Sequence, residues 1–286
     1  MSTGTKSEYS LSLIEEIEEE YFSKLHTIVL TIGFHRSGSS LVGYLLTAHP
    51  NIVMGHEPNI RKYHSDLKLL LFRVLYVDRD RFTRAEAKQK IGINKIVLPA
   101  YEVQPHTANH AERYVLVPNQ WQNRCESLEV LGIKQSYSTV QLFNDKKTFK
   151  EFTKAVEKRG ISLKFIFTVR NPYDMIVPKK RTLNDQITTY EKHAPICKDL
   201  LSRIQTESVF MNKHEDMVAN PKDQLTKLCH FLKVEADQNY LNDCVSAVCP
   251  TPRENRYKSD WSAEQKERVA KLIEHYDFFS GYSWAS

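Results

Sequence analysis

Apolar residues are unevenly spread along this 286-residue chain. They gather into short β-branched runs, separated by longer stretches in which they recur every three or four positions. Four runs, TIVLTIG (27–33), LEVLGIK (128–134), LKFIFTVR (163–170) and ESVFMNKHE (207–215), read as buried strands. A shorter one, NIVMGHE (51–57), joins them, and helical spacing fills the intervals at about 39–48, 145–159, 184–205 and 221–232. This alternation predicts an α/β fold, a three-layer sandwich whose central parallel sheet is covered by helices on both faces. Ligands of such sheets bind beyond the carboxyl ends of the strands.

Residues 60–125 break the alternation with a helical stretch, SDLKLLLFRVLYVDRDRF, and a segment rich in Tyr, His, Pro and Trp, VLPAYEVQPHTANHAERYVLVPNQW. The expectation is one domain over residues 1–286, with 60–125 inserted as a helical and loop cap. Packing alone accounts for most of such a cap, although aromatic-rich loops over a sheet edge commonly contact substrates.

The first run leads into Gly33-Phe34-His35-Arg36-Ser37-Gly38-Ser39-Ser40 and then a helical pattern. Strand, glycine-bearing loop and helix N-terminus together form a setting for a phosphate, because backbone N–H groups and the positive end of the helix converge there. The nucleotide-triphosphatase pattern G-x-x-x-x-G-K-S/T matches at Gly33, Gly38 and Ser40, but Ser39 stands where its lysine belongs. The cation has moved to Arg36. A triphosphate hydrolase also needs an acidic metal ligand at the end of a neighbouring strand, whereas KFIFTVR ends on Arg170. Metal-assisted phosphoryl transfer is therefore disfavoured.

A net charge of +5 suits a small polyanion better than a nucleic-acid groove, which wants dense basic clusters, though a solvated basic surface is the plain alternative. Five cysteines without a CxxC pair indicate neither a disulfide framework nor a zinc site and fit a reducing compartment. The start MSTGTKSEYSLSLIEEIEEEYF is polar and acidic, unlike a signal peptide, and no 18-residue apolar run occurs. A cytoplasmic protein without membrane or nucleic-acid partners is the expectation.

The loop GFHRSGSSLVGYLLTAHPNI resembles the 5′-phosphosulfate loop of sulfotransferases that use 3′-phosphoadenosine 5′-phosphosulfate. The likeness continues in the family's order through FIFTVRNPYDMIV, similar to the strand and turn that bind the 3′-phosphate, and NKHEDMVANPKDQLTKLCHFLKV. It ends in NRYKSDWSAEQKERVAKLIEHYDFFSGY, similar to the basic loop, final helix and Gly-Tyr of many members. The motifs are closer to the bacterial, carbohydrate and tyrosylprotein types. The resemblance implies a P-loop sulfotransferase fold that uses the phosphosulfate nucleotide as co-substrate and needs no metal.

It also implies roles for particular residues. His35, Arg36, Ser37, Gly38, Ser39 and Ser40 hold the sulfuryl and 5′-phosphate oxygens, and Arg36 has a surface ion pair as its plain alternative. Glu57 deprotonates the acceptor, unless it is only a solvated partner of Arg61. His56 is the rival base, its ordinary pKa near 6.5 suiting the task. Lys134 helps neutralise the departing phosphosulfate. Arg170 binds the 3′-phosphate, for which a planar guanidinium is suited. Many members carry a serine eight residues after this arginine, whereas here Pro178 stands there, so Ser39 and Ser40 or the run Lys179-Lys180-Arg181 would compensate. Arg256, Tyr257 and Lys258 fall in the loop that covers the 3′-phosphate and adenine in the family, with a basic turn before the last helix as the alternative. The expected function is sulfuryl transfer to a hydroxyl or amine of a small-molecule acceptor. A kinase-like phosphotransferase and a non-catalytic nucleotide-binding regulator are the alternatives.

Overall fold

The computed structural model describes residues 23–56, 125–178 and 181–286, together with positions 60, 67, 70, 74, 117 and 119–121. Five strands, β1 (Thr27–Gly33), β2 (Ile52–His56), β3 (Val130–Lys134), β4 (Ser162–Val169) and β5 (Val209–Lys213), form one parallel sheet in the order β2-β3-β1-β4-β5. The connecting helices are α1 (Ser39–Thr47), α2 (Ser136–Phe143), α3 (Lys146–Glu157), α4 (Pro172–Met175) and α5 (Leu183–Ser202). After β5 come α6 (His214–Ala219), α7 (Pro221–Leu232), α8 (Gln238–Ala247) and α9 (Ala263–His275).

Every residue of β1 is buried, and its side chains alternate between two cores. Ile28, Leu30 and Ile32 pack with Val140, Phe152, Ile187 and Leu272 of α2, α3, α5 and α9. Val29 faces the opposite side, with Val42, Leu225 and Leu241 of α1, α7 and α8. Full burial of such side chains stabilises by about 1.5–3 kcal/mol each, which makes the sheet a rigid floor for whatever its carboxyl edge carries. The expected three-layer α/β architecture is the one observed. From β1 the chain runs towards β2 and from β4 towards β5, so the carboxyl ends of β1 and β4 flank the switch point where ligands of open sheets bind.

One expectation needs correction, and one helix is not announced by the sequence. The run 207–215 is not a buried strand: β5 spans Val209–Lys213 at the sheet edge, with Met211 45% exposed and only Asn212 fully buried. An edge strand is covered on fewer sides, and His214 and Glu215 already belong to α6. That helix is α2, whose sequence SYSTVQLF carries too many serines and threonines to announce it. Tertiary contact supplies what propensity withholds, because Thr31 Oγ1 accepts hydrogen bonds from the Gln135 and Ser136 N–H groups and the Ser136 hydroxyl. The stretch 60–125, expected to be an insertion, lies largely outside the described residues. Ile60, Leu67, Leu70 and Val74, which are described, are buried in the core.

Candidate active site

The loop between β1 and α1 owes its shape to three residues in the left-handed region, Gly33 (φ 128°), Arg36 (φ 61°) and Gly38 (φ 93°). At Gly33 a Cβ would lie 2.4 Å from the Thr168 carbonyl oxygen, so only glycine lets the loop leave β1 against β4. At Gly38, the N-cap of α1, a Cβ would lie 2.5 Å from Nδ1 of His214. Arg36 has no such licence, and a non-glycine residue there costs on the order of 1–2 kcal/mol. A loop that alternates handedness in this way turns successive N–H groups into one concavity, a nest for an anion. No side chain caps α1, so its first N–H groups are also left to the site.

Ser37 is fully buried beneath the loop. Its hydroxyl donates to the Phe34 carbonyl at 2.8 Å and lies 2.6 Å from Thr168 Oγ1, so it ties the loop to β4 and offers nothing to a ligand. Phe34 anchors the same loop from below, its ring 5.0 Å from Phe279 and 6.3 Å from Phe167. Packing of this kind is what can hold Arg36 in its strained backbone.

Above the loop opens a cleft of about 760 Å³. Arg36, Lys134, Arg170 and Arg253 all line it. Lys134 ends β3 and Arg170 directly follows β4, each only 7% exposed. The Arg170 guanidinium donates to the Arg253 carbonyl, which fastens the 251–255 segment over the crevice. Nε of Arg36 is buried and has no hydrogen-bond partner among the described residues, a costly arrangement unless a ligand accepts from it. His214 lines the same cleft as a neutral ring, because burial, reinforced by the Arg170 charge, pushes its pKa down to about 3. Four cations around one neutral imidazole suit a ligand with several negative charges.

His35, Ser39 and Ser40 also line the cleft, and His35 is stacked on Tyr137 at 4.0 Å. The trio at 256–258 behaves otherwise. Arg256 is turned inward, 3% exposed, with its guanidinium 3.8 Å from Asp174 and 3.0 Å from Glu254, while Tyr257 and Lys258 are exposed and do not line the cleft. Arg253 offers its side in their place. Pro178 is exposed and Arg181 does not line the cleft, whereas Lys179 and Lys180 lie outside the described residues. So does Glu57. The backbone of His56 is paired with Lys134 in the sheet register, so Glu57 follows the last strand pair on that side. His214, Arg253 and Tyr137 are absent from the expected set. His214 and Tyr137 sit just beyond the carboxyl ends of β5 and β3, a position that marks them, whereas Arg253 reaches the cleft through a contact distant in sequence.

The model of the sulfotransferase family matches residues 29–238, and the chain belongs to that family. No curated protein matches it. Among solved structures it is similar to the sulfotransferase domain of the Synechococcus PCC 7002 olefin synthase, at 16% identity and a TM-score of 0.51 over 89% of this chain and 96% of that one. A sulfotransferase of Mycobacterium avium is 12% identical, with a TM-score of 0.47 over 93% of this chain and 81% of that one. A mouse sulfotransferase complexed with PAP is 10% identical, with a TM-score of 0.44 over 93% of this chain and 89% of that one. Among the described residues no helix is long and apolar enough to cross a membrane, and no group of three or more His, Cys, Asp or Glu side chains could hold a metal ion.

Proposed function

We propose that this protein moves a sulfuryl group from 3′-phosphoadenosine 5′-phosphosulfate to a hydroxyl or amine of a small-molecule acceptor, leaving adenosine 3′,5′-bisphosphate. The observation that carries the reading is Arg36: a strained residue in a glycine-bounded phosphate loop, with a buried, partnerless Nε at a cleft that Lys134, Arg170 and Arg253 also line. When bound, the nucleotide supplies an activated sulfuryl group. Arg36, the hydroxyls of Ser39 and Ser40 and the first N–H groups of α1 hold its 5′ end and stabilise the charge that builds there. Lys134 neutralises the departing phosphate. Arg170 recognises the 3′-phosphate with Arg253 beside it, in the place expected of Arg256–Lys258. Glu57 accepts the acceptor's proton, with His56 as the alternative base. The five free thiols of Cys125, Cys197, Cys229, Cys244 and Cys249 support a reducing, cytoplasmic setting.

Thermal melting tests the reading. A ligand that binds only the folded protein stabilises it by mass action, so adenosine 3′,5′-bisphosphate is expected to raise the melting temperature more than ATP with magnesium does. An equal or larger shift with ATP would favour a phosphotransferase, and binding without transfer to any acceptor would favour a regulator.

The role of Arg170 is checked by calorimetry. Arg170→Ala is expected to lose about 1.5–3 kcal/mol of affinity for adenosine 3′,5′-bisphosphate, the scale of a hydrogen bond to a charged group. AMP, which has no 3′-phosphate, is expected to bind almost as before. Equal losses for both nucleotides would place Arg170 elsewhere in the site.

A further inference from the structure

Three consecutive carbonyls of the phosphate loop are held by side-chain donors that do not line the cleft. The Gly33 oxygen lies 3.0 Å from Nε2 of His193, the Phe34 oxygen accepts from Ser37, and the His35 oxygen accepts from the Tyr190 hydroxyl at 2.6 Å. Tyr190 and His193 are three residues apart on α5, hence on one face of the helix, and both are buried.

In a planar trans peptide the C=O of one residue and the N–H of the next point in opposite directions. Pulling the Gly33 and His35 carbonyls towards α5 therefore turns the Phe34 and Arg36 N–H groups away from it. An anion site needs this polarity, because a carbonyl oxygen facing the ligand would repel it. The Gly33–Phe34 peptide is prone to the error, since a peptide next to a glycine rotates at little steric cost.

Both donors are themselves held in place. A carbonyl only accepts, so Nε2 of His193 carries the proton, and Nδ1 takes one from the Gln141 side-chain amide at 2.8 Å. Burial keeps this imidazole uncharged down to a pKa of about 4. Its ring stacks on Tyr137 at 4.2 Å, which stacks in turn on His35 of the loop. The Tyr190 ring lies nearly parallel to Phe34, 9° apart, and burial raises the pKa of its phenol, which stays a donor.

We propose that Tyr190 and His193 are positioning residues for the phosphate loop, holding two of its carbonyls back so that the N–H groups face an anion. The identity of that anion as the nucleotide's 5′-phosphate rests on the function proposed above.

The test titrates two nucleotides, adenosine 3′,5′-bisphosphate and adenosine 3′-monophosphate, into wild type, Tyr190→Phe, His193→Phe and His193→Gln. The first two variants keep a ring and lose a donor, whereas glutamine keeps an N–H that can reach the Gly33 carbonyl. Tyr190→Phe and His193→Phe are each expected to weaken the bisphosphate about three- to tenfold and to leave the monophosphate within about twofold. His193→Gln is expected to recover most of the loss. Parallel losses for the two nucleotides would reduce both residues to general packing, and unchanged bisphosphate affinity in folded variants would overturn the inference. If a histidine variant fails to fold, Tyr190→Phe, which removes one oxygen, decides alone. A wild type indifferent to the 5′-phosphate would instead overturn the assignment of the loop, and the inference with it.

Discussion

Arg36→Ala is expected to lower turnover by about two to three orders of magnitude, the usual scale for losing one preorganised electrostatic donor at the reacting group. The substitution isolates the guanidinium. At φ 61° alanine meets the same Cβ clash that arginine already endures, so the backbone strain is carried over rather than relieved. The loop's anchors, Ser37 on the Phe34 carbonyl and Tyr190 on the His35 carbonyl, are untouched. The melting temperature is therefore expected to stay close to that of wild type while single-turnover sulfuryl transfer from labelled donor collapses. A folded variant with near-normal turnover would remove Arg36 from the chemistry. Arg36→Gly is the weaker experiment, because it changes side chain and backbone freedom together.

Glu57→Gln is expected to cut turnover by about 10² to 10⁴ while nucleotide binding changes little, as befits the loss of a general base. In the chain Glu57 comes next after His56, whose backbone is paired with Lys134 at the carboxyl edge of the sheet, where ligands of such sheets bind. His56→Ala is expected to do less. Reversal of that order in matched single-turnover assays would make His56 the base and leave Glu57 to position it. An amine acceptor, needing less help at high pH, would shrink both effects together, so the comparison is made across pH.

What could be read from the chain follows what is local in its physics. Thr27–Gly33 is buried on both faces and its apolar run coincides with the strand, and the phosphate loop is legible because its shape depends on glycines inside it. The ends of β5 are not legible, since this edge strand is only partly buried, with Val209 against one core and Phe210 against the other, nor is α2, which leans on Thr31 from another strand. Among the site residues, Lys134 and Arg170 follow from where their strands stop. The segment before α9 offers three basic candidates within a few residues, and Asp174, some 80 positions earlier, draws Arg256 inward and leaves Arg253 beside the cleft. A choice made by so distant a partner leaves no trace in the spacing.

The wall of the cleft runs from Phe34 to Asn255. Bringing such remote segments together costs loop-closure entropy before any contact repays it, so the crevice is expected to close late in folding. A nucleotide held between the phosphate loop and the 251–255 segment then has little to grip in the transition state. Its stabilisation is then expected to fall on the unfolding rate rather than the folding rate, so that ligand occupancy lengthens the lifetime of the folded molecule without hastening its birth.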